Sequence, residues 1–403
     1  MADRRIKVFL VAGEPSGDRL GGALMAGLRE LAPGVQFSGV GGPEMAAAGL
    51  ASLFPMQELS VMGIAEIAPK YFHLRRRIRE TAEAVLEMRP DVLVTIDSPD
   101  FCLRVARIVK QRSAIRTVHY VAPTVWAWRP GRAEKMAKVV DQVLALFPFE
   151  PPLMQAAGMA CDFVGHPVVA EPVASAGEAA ALRADLGGGP LLLALPGSRR
   201  GEVARLSGRF GAALGLVAAA QPGARVVVPA AAAVVAEVRR AVADWPVPVT
   251  LIDPADDRGG WRKRAAFRAA DVALAASGTV SLELAACGTP MVIGYDMNLV
   301  TRAIMARMML IDTVTLVNIV SGTRVVPEFL GSACRPEPMA QALLQVLDAP
   351  GTQREAMGVT MERLGLGGEA PGLRSARAVL ARIGQVRPDQ IQPPPSTRLP
   401  SGS

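Results

Sequence analysis

The stretch Ile6-Lys-Val-Phe-Leu-Val-Ala-Gly-Glu-Pro-Ser-Gly-Asp18, with helical spacing of apolar residues from Leu20 to Leu31 behind it, decides the fold of this chain. The apolar run is typical of a buried strand, and the loop Gly13–Asp18 separates it from the helix. Strand, loop and helix in this order form the first half of a βαβ unit. Because the same order returns along the chain, we predict an α/β fold with doubly wound parallel sheets.

Two series of such units predict two domains. The first series ends with the strand Cys161-Asp-Phe-Val164, and the second begins at Leu191-Leu-Leu-Ala-Leu195, after an Ala/Gly/Pro-rich stretch. We therefore place an N-terminal Rossmann-like domain at residues 1–168 and a C-terminal one at residues 169–368. Helices in 369–387 are a candidate completion of the first domain. The proline-rich residues 388–403 are predicted by composition to be a disordered tail.

Composition narrows the classes of function. The chain of 403 residues has four scattered cysteines and three histidines without metal-ligand spacing, so we expect reduced thiols and no zinc site. No apolar run reaches the roughly 18 residues of a membrane span, and no signal peptide is evident, which predicts a cytoplasmic protein. The net charge of +7 favours an acidic partner, either anionic lipid or a phosphorylated substrate, or reflects a merely basic surface. Without a nucleic-acid motif, we expect no nucleic acid.

Two loops of the first domain carry carboxylates beyond the ends of strands, where open α/β sheets bind ligands. The loop after the first strand contains Glu14, Ser16 and Asp18. A later loop contains Asp97, directly at the end of a buried strand, and Asp100. Asp97 is placed to act as a general base that takes a proton from a hydroxyl nucleophile. Spacing alone leaves helix capping by Ser16 or Asp18, and an Asx turn at Asp97, as structural alternatives.

Two loops of the second domain suit a nucleotide. In Leu195-Pro-Gly-Ser-Arg-Arg-Gly-Glu-Val203, small residues expose backbone donors and an arginine grips phosphate, so Ser198 and Arg199 are candidate ligands. The alternative is a pair of surface arginines beside an ordinary turn.

In the second of these loops, Ala276-Ser-Gly-Thr-Val-Ser-Leu-Glu283, a strand delivers three small residues, Ser277, Gly278 and Thr279, to the start of a helix. That helix end stabilises negative charge on a departing nucleotide, and Glu283 accepts hydrogen bonds from ribose hydroxyls. A capping box that involves Glu283 is the structural alternative.

Together these loops resemble the lipid-A-disaccharide synthase family. The matching stretches occur in family order over most of residues 6 to 330: VAGEPSGDRLG, GVGGPEM, LSVMGIAEI, IDSPDF, HYVAPTVWAWRPGR, LPGSRRGEV and SGTVSLELAACGTPMVIGY. The resemblance implies a GT-B glycosyltransferase with a cleft between its domains, the first for the acceptor and the second for UDP. It implies transfer of 2,3-diacylglucosamine from UDP-2,3-diacylglucosamine to the 6-hydroxyl of 2,3-diacylglucosamine 1-phosphate. The products would be a β-1,6 disaccharide and UDP, with inversion and without a metal or other cofactor.

The resemblance also implies roles for residues that match the family's motifs. Asp97 would be the general base. The acceptor side would be shaped by Glu14, Ser16, Asp18 and Asp100. UDP would be held by Ser198, Arg199, Ser277, Gly278, Thr279, Glu283 and Asn318.

Two stretches suit a substrate with acyl chains. One surrounds Tyr71-Phe-His-Leu-Arg-Arg-Arg, and the other is the Met-rich stretch from Leu299 to Ile311. Both mix apolar and basic side chains, as expected at an anionic membrane surface, here the cytoplasmic leaflet of the inner membrane. The predicted contacts are Met62, Phe72, Arg75, Arg76, Met305 and Met308. Core-facing amphipathic helices are the alternative, and a homodimer is a further option.

Three rival functions stay open at this stage. Another GT-B transferase of UDP-N-acetylglucosamine and a UDP-sugar epimerase would share the nucleotide loop. A non-catalytic scaffold that binds lipid or nucleotide would share the surfaces but not the turnover. Residues 253–264 are more charged than the family loop leads us to expect, and the proline-rich tail has no family counterpart, so neither is assigned a role.

Overall fold

A computed structural model describes residues 5–59, 64–297 and 308–383, with the backbone alone over 64–71. These residues form two compact units. The first contains the described residues from 5 to 125, residues 129–167 and residues 369–383, and the second contains Trp126–Trp128 and the described residues from 168 to 368. The predictions for Met62, Met305 and the tail 388–403 lie outside the described residues.

The strands and helices alternate along most of the chain, as the sequence predicts. The strands are β1 (Lys7–Ala12), β2 (Gln36–Val40), β3 (Val92–Ile96), β4 (Arg116–Tyr120), β5 (Gln142–Ala145), β6 (Ala160–Phe163), β7 (Leu191–Leu195), β8 (Arg225–Pro229), β9 (Val249–Ile252), β10 (Val272–Ala275), β11 (Met291–Tyr295) and β12 (Glu328–Leu330). The helices are α1 (Pro15–Leu31), α2 (Pro43–Ala47), α3 (Ile64–Met88), α4 (Pro99–Arg112), α5 (Arg132–Ala137), α6 (Glu150–Ala156), α7 (Ala176–Leu186), α8 (Arg200–Ala220), α9 (Val235–Ala243), α10 (Trp261–Ala269), α11 (Val280–Cys287), α12 (Leu316–Ser321), α13 (Pro336–Asp348), α14 (Gly351–Arg363) and α15 (Pro371–Leu380).

The first unit is built on a parallel sheet in the order β2-β1-β3-β4-β5-β6. Every residue of β3 is buried, because helices cover both faces of the sheet, and this explains the unbroken apolar run in the sequence. The chain returns to this unit with α15, which packs against α1. The two helices approach so closely that a Cβ added at Gly27 would lie 2.7 Å from the carbonyl oxygen of Gly372.

The second unit contains a parallel sheet in the order β12-β11-β10-β7-β8-β9. The predicted α/β class with two doubly wound parallel sheets is therefore confirmed.

Of the described helices, only α8 matches a membrane span by length and composition. It packs against α13 and α9, and Phe210, Leu214 and Val217 on it are fully buried, as expected for a core helix.

Candidate active site

The loops after β1 and β3 lie side by side at the carboxyl edge of the first sheet, because these two strands are neighbours. The Oγ of Ser16 lies 3.4 Å from Oδ2 of Asp97. The loops approach so closely that a Cβ added at Gly13 would lie 2.6 Å from Oγ of Ser98. The structure thus brings together Ser16 and Asp97, which are 81 positions apart in sequence.

The backbone at and beside Asp97 adopts left-handed conformations that are uncommon for residues other than glycine. Asp97 and Ser98 have φ angles of 52° and 43°, and Val121, which follows the neighbouring strand β4, has a φ of 86°. The Asp97 N–H donates to the Tyr120 carbonyl at 3.0 Å, and the Ser98 N–H donates to Oδ1 of Asp97 at 2.8 Å. Left-handed conformations of non-glycine residues each cost about 1–3 kcal/mol and cluster at functional sites. The hydrogen bond from the Ser98 N–H to Oδ1 joins adjacent residues, so it is not the Asx turn considered above. The other carboxylate oxygen, Oδ2, lies on the side of Ser16.

Asp18 has a structural role in place of the predicted contact with the acceptor. Its carboxylate accepts backbone N–H groups from Gly42 at 2.8 Å, Glu44 at 2.9 Å and Met45 at 3.0 Å. The residue is only 2% exposed. The carboxylate therefore caps the start of α2 and fixes the loop before it, and it does not cap its own helix α1, which was the other alternative.

Glu14 and Asp100 are both exposed at the same edge of the sheet. Glu14 precedes the first turn of α1, and Asp100 lies in the first turn of α4. Helix starts favour carboxylates electrostatically, so a structural reason for both exists. Their predicted contact with an acceptor stays a prediction.

The second unit contains a cavity of about 600 Å³ at the carboxyl ends of β7, β8 and β10. Six of the seven predicted UDP ligands line it: Ser198, Arg199, Ser277, Gly278, Thr279 and Glu283. They come together because parallel strands end at one edge of a sheet. The volume and the polar lining suit a nucleotide.

One wall of the cavity is organised by Glu202, which is buried in the first turn of α8. Its Oε2 accepts the backbone N–H groups of Ser198 at 3.1 Å and Arg199 at 3.3 Å, and its Oε1 lies 3.0 Å from Nη1 of Arg199. The backbone donor predicted at Ser198 is thus already paired within the protein. The Arg199 side chain is still 68% exposed, whereas Arg200 pairs with Glu237 at 3.0 Å and does not line the cavity.

The opposite wall contains the start of α11 and a lysine that the sequence interpretation missed. Thr279 provides no side-chain cap to α11, so the capping box, which was the structural alternative for Glu283, does not form. Glu283 instead pairs through Oε2 with Nζ of Lys263 at 2.9 Å. Lys263 lies in the charged stretch 253–264, and its ammonium group stands 5.1 Å from the centre of the Phe267 ring. The unusual charge of that stretch was the only sequence signal.

Asn318 does not line this cavity, and its side-chain amide forms hydrogen bonds within the protein. Its Nδ2 donates to Oγ1 of Thr313 at 3.2 Å and to the Val326 carbonyl at 3.0 Å, and its Oδ1 accepts the Val326 N–H at 3.0 Å. The residue is 1% exposed. Asn318 therefore ties α12 to the approach to β12, and we correct the predicted UDP contact to this structural role.

The predicted membrane contacts fall on a helix with two different faces. Ile78 and Val85 of α3 are buried in the first core, whereas Phe72 is 76% exposed beside the exposed Arg75 and Arg76. Arg77 anchors the buried side through a bidentate contact with Glu58 at 2.8 and 2.9 Å. The buried face of this helix fits the core-facing alternative, and the membrane contact of the exposed face stays a prediction. Met308, in the other stretch, is half-buried.

Two buried histidines and the side chains of metal-ligating type bear on acid–base and metal chemistry. Burial lowers the pKa of His119 and of His166 to about 4, so both rings are neutral at neutral pH. Within residues 5–59, 64–297 and 308–383, no three His, Cys, Asp or Glu side chains form a group that could hold a metal ion.

Comparison with known proteins agrees with this geometry. A family described as lipid-A-disaccharide synthetase matches residues 8–377. The lipid-A-disaccharide synthase of Ruegeria pomeroyi is 65% identical over 387 residues, which cover 95% of this chain and 96% of that protein. That of Rhodospirillum centenum is 49% identical over 382 residues, with 93% and 94% covered.

A solved structure shares the architecture at low identity. The UDP-GlcNAc 2-epimerase from Neisseria meningitidis, solved with UDP-GlcNAc bound, gives a TM-score of 0.59 at 12% identity and covers 93% of this chain and 99% of that one. At this identity the likeness concerns the fold alone, which is of the GT-B type in both.

Proposed function

Because the chain belongs to the lipid-A-disaccharide synthase family, and is therefore a glycosyltransferase with a UDP-sugar donor and a lipid acceptor, we propose that its donor is UDP-2,3-diacylglucosamine. The acceptor in this proposal is 2,3-diacylglucosamine 1-phosphate. The products are the β-1,6-linked disaccharide 1-phosphate and UDP. The observation that carries the donor assignment is the cavity lined by Arg199, Ser277–Thr279 and Glu283.

In the donor half of the reaction, the bond between the anomeric carbon and the diphosphate oxygen breaks, and UDP leaves with the electron pair. The departing group gains negative charge, which fixed positive groups stabilise. Arg199, at the cavity wall, and the start of α11, without a side-chain cap, supply that charge. Glu283 accepts hydrogen bonds from the ribose hydroxyls. With these groups in place, we propose that no metal takes part.

In the acceptor half, the 6-hydroxyl oxygen attacks the anomeric carbon, and its proton passes to the carboxylate of Asp97. A single displacement of this kind inverts the anomeric configuration. Ser16 supports the step because its hydroxyl lies 3.4 Å from Oδ2 of Asp97 and restricts where the carboxylate can turn. The strained backbone at Asp97 and Ser98 is consistent with a site selected for position rather than stability.

A lipid acceptor also needs access to a membrane. We place the enzyme at the cytoplasmic face of the inner membrane, where Phe72 would enter the lipid and Arg75 and Arg76 would contact headgroup phosphates. Binding to vesicles that contain anionic phospholipid tests this placement. Phe72→Ser should reduce co-sedimentation with such vesicles, and retention of full binding by this variant would contradict it.

The assay that tests the function offers the purified chain each donor with each acceptor. We expect disaccharide and UDP only from the acylated pair. Disaccharide from UDP-N-acetylglucosamine and a non-acylated acceptor would favour the rival transferase, and a change of configuration at C2 of the free donor would favour an epimerase. Tight UDP binding without turnover of any pair would favour the non-catalytic scaffold.

A further inference from the structure

The donor cavity contains a cation that the proposed mechanism does not use. Nζ of Lys263 lies 2.9 Å from Oε2 of Glu283, and 47% of the lysine side chain is exposed. Phe267 follows Lys263 by four positions, one helical turn, and its ring lies 5.1 Å from Nζ. All three residues line the cavity.

The position of Lys263 is set by the backbone as well as by its side chain. Asp257, which is buried, accepts the N–H of Arg262 through Oδ1 at 3.0 Å and the N–H of Lys263 through Oδ2 at 2.9 Å. These bonds satisfy amides of the first turn of α10, which have no partner inside the helix. Lys263 is therefore held at its backbone by Asp257 and at its ammonium group by Glu283 and Phe267.

The charges in the cavity suggest what the pairing of Lys263 with Glu283 does. A diphosphate is an anion, yet Glu283 places a carboxylate in the same cavity. If that carboxylate were unpaired, its repulsion of a phosphate at an assumed separation of about 6 Å would weaken nucleotide affinity by between about threefold and about a hundredfold, depending on the local dielectric. Arg199 is already paired with Glu202. Lys263 is the cation in direct contact with Glu283.

We propose that Lys263 is a positioning residue for the donor, which neutralises Glu283 and orients its carboxylate toward the ribose. Oε2 pairs with the lysine, and Oε1 is left for a ribose hydroxyl. The diphosphate then enters a cavity without a net opposing charge. This inference rests on the proposed function, because it requires a UDP-sugar in this cavity.

Titration of UDP by calorimetry into a double-mutant set tests the inference. Lys263→Met should weaken UDP binding about tenfold, because Glu283 becomes an unpaired carboxylate. In a Glu283→Gln background the same lysine substitution should change affinity by less than about twofold, because no charge remains to be neutralised. Lys263→Arg should restore most of the affinity. In steady state, Lys263→Met should raise KM for the donor while kcat changes little.

Arg262→Met is the matched control, since it removes the same charge one position away from a side chain that does not line the cavity. It should bind UDP like the wild type, and an equal loss in this control would overturn the inference. So would an equal loss from Lys263→Met in both backgrounds, which would make the lysine a direct diphosphate ligand, or no loss at all. Failure of the unaltered protein to bind UDP would instead overturn the proposed function, and this inference with it.

Discussion

The hydroxyl of Ser16 lies 3.4 Å from Oδ2 of Asp97 at the edge of the first sheet, across 81 positions of sequence. Adjacent parallel strands explain this proximity, because the loops that follow β1 and β3 leave the sheet at the same edge. The other oxygen of Asp97 accepts the N–H of Ser98. The carboxylate thus has one oxygen fixed by the backbone and one beside a hydroxyl, a suitable arrangement for a base whose position matters.

Arg199 and Arg200 are adjacent in sequence, but we expect only the first to affect nucleotide binding. Arg199→Met should weaken UDP affinity by about 10- to 100-fold, the usual worth of a charge-assisted contact with phosphate. Arg200→Met is the natural control because that side chain pairs with Glu237 and does not line the cavity. Calorimetric titration of UDP separates the two variants. Equal losses in both would show that the assignment of the phosphate contact is wrong.

Asp18 should matter for stability more than for the nucleotide. Asp18→Ala leaves three backbone N–H groups without their acceptor, and we expect a loss of about 2 kcal/mol. Asp18→Asn keeps one acceptor oxygen and should lose less. Thermal unfolding followed by circular dichroism measures both, with UDP affinity as a second readout that should not change. A wild-type melting temperature for Asp18→Ala would contradict the capping role.

Acid should destabilise the protein partly through its buried histidines. Burial lowers the pKa of His119 from 6.5 to about 4 in the folded state. The folded protein therefore resists protonation that the unfolded chain accepts, so the contribution to stability is complete above pH 6.5 and is lost as the pH falls from 6.5 toward 4. His119→Gln should show a smaller fall in melting temperature over this range than the wild type. Parallel curves for the two proteins would rule out the linkage to His119.

The proposed mechanism predicts activity without a metal ion. In that mechanism, Arg199 and the start of α11 would supply the positive charge that a divalent cation gives in other enzymes. The initial rate should be the same in excess EDTA as in untreated enzyme, and added Mg²⁺ should not raise it. A rate that collapses in EDTA and recovers with Mg²⁺ would contradict this part of the proposal.

The sequence predicts the fold well, and it groups the loops that line the cavity of the second unit, because of how parallel sheets are built. An apolar run such as Leu191–Leu195 identifies a buried strand, and loops after parallel strands converge at one edge. Because this convergence follows from topology, the sequence is enough to place Arg199, Ser277 and Glu283 near one another.

The failures concern side chains whose partners lie elsewhere in the sequence. The sequence places Asp18 in a loop, but it lies in the first turn of α1 and its acceptor oxygens are taken by amides from Gly42 to Met45, which local spacing does not reveal. The side-chain amide of Asn318 likewise forms hydrogen bonds with the backbone of Val326. Lys263 was missed because a run of basic residues is usually a solvated surface, and only the fold shows that one of them turns toward Glu283.

The most direct test of the account is the turnover of Asp97→Asn with the acylated donor and acceptor. Asparagine keeps the shape of the side chain but cannot take the proton, so we expect kcat to fall by about 100-fold or more. UDP affinity and the melting temperature should stay close to those of the wild type. A wild-type kcat in this variant would contradict the assignment of Asp97 as the base and, with it, the mechanism.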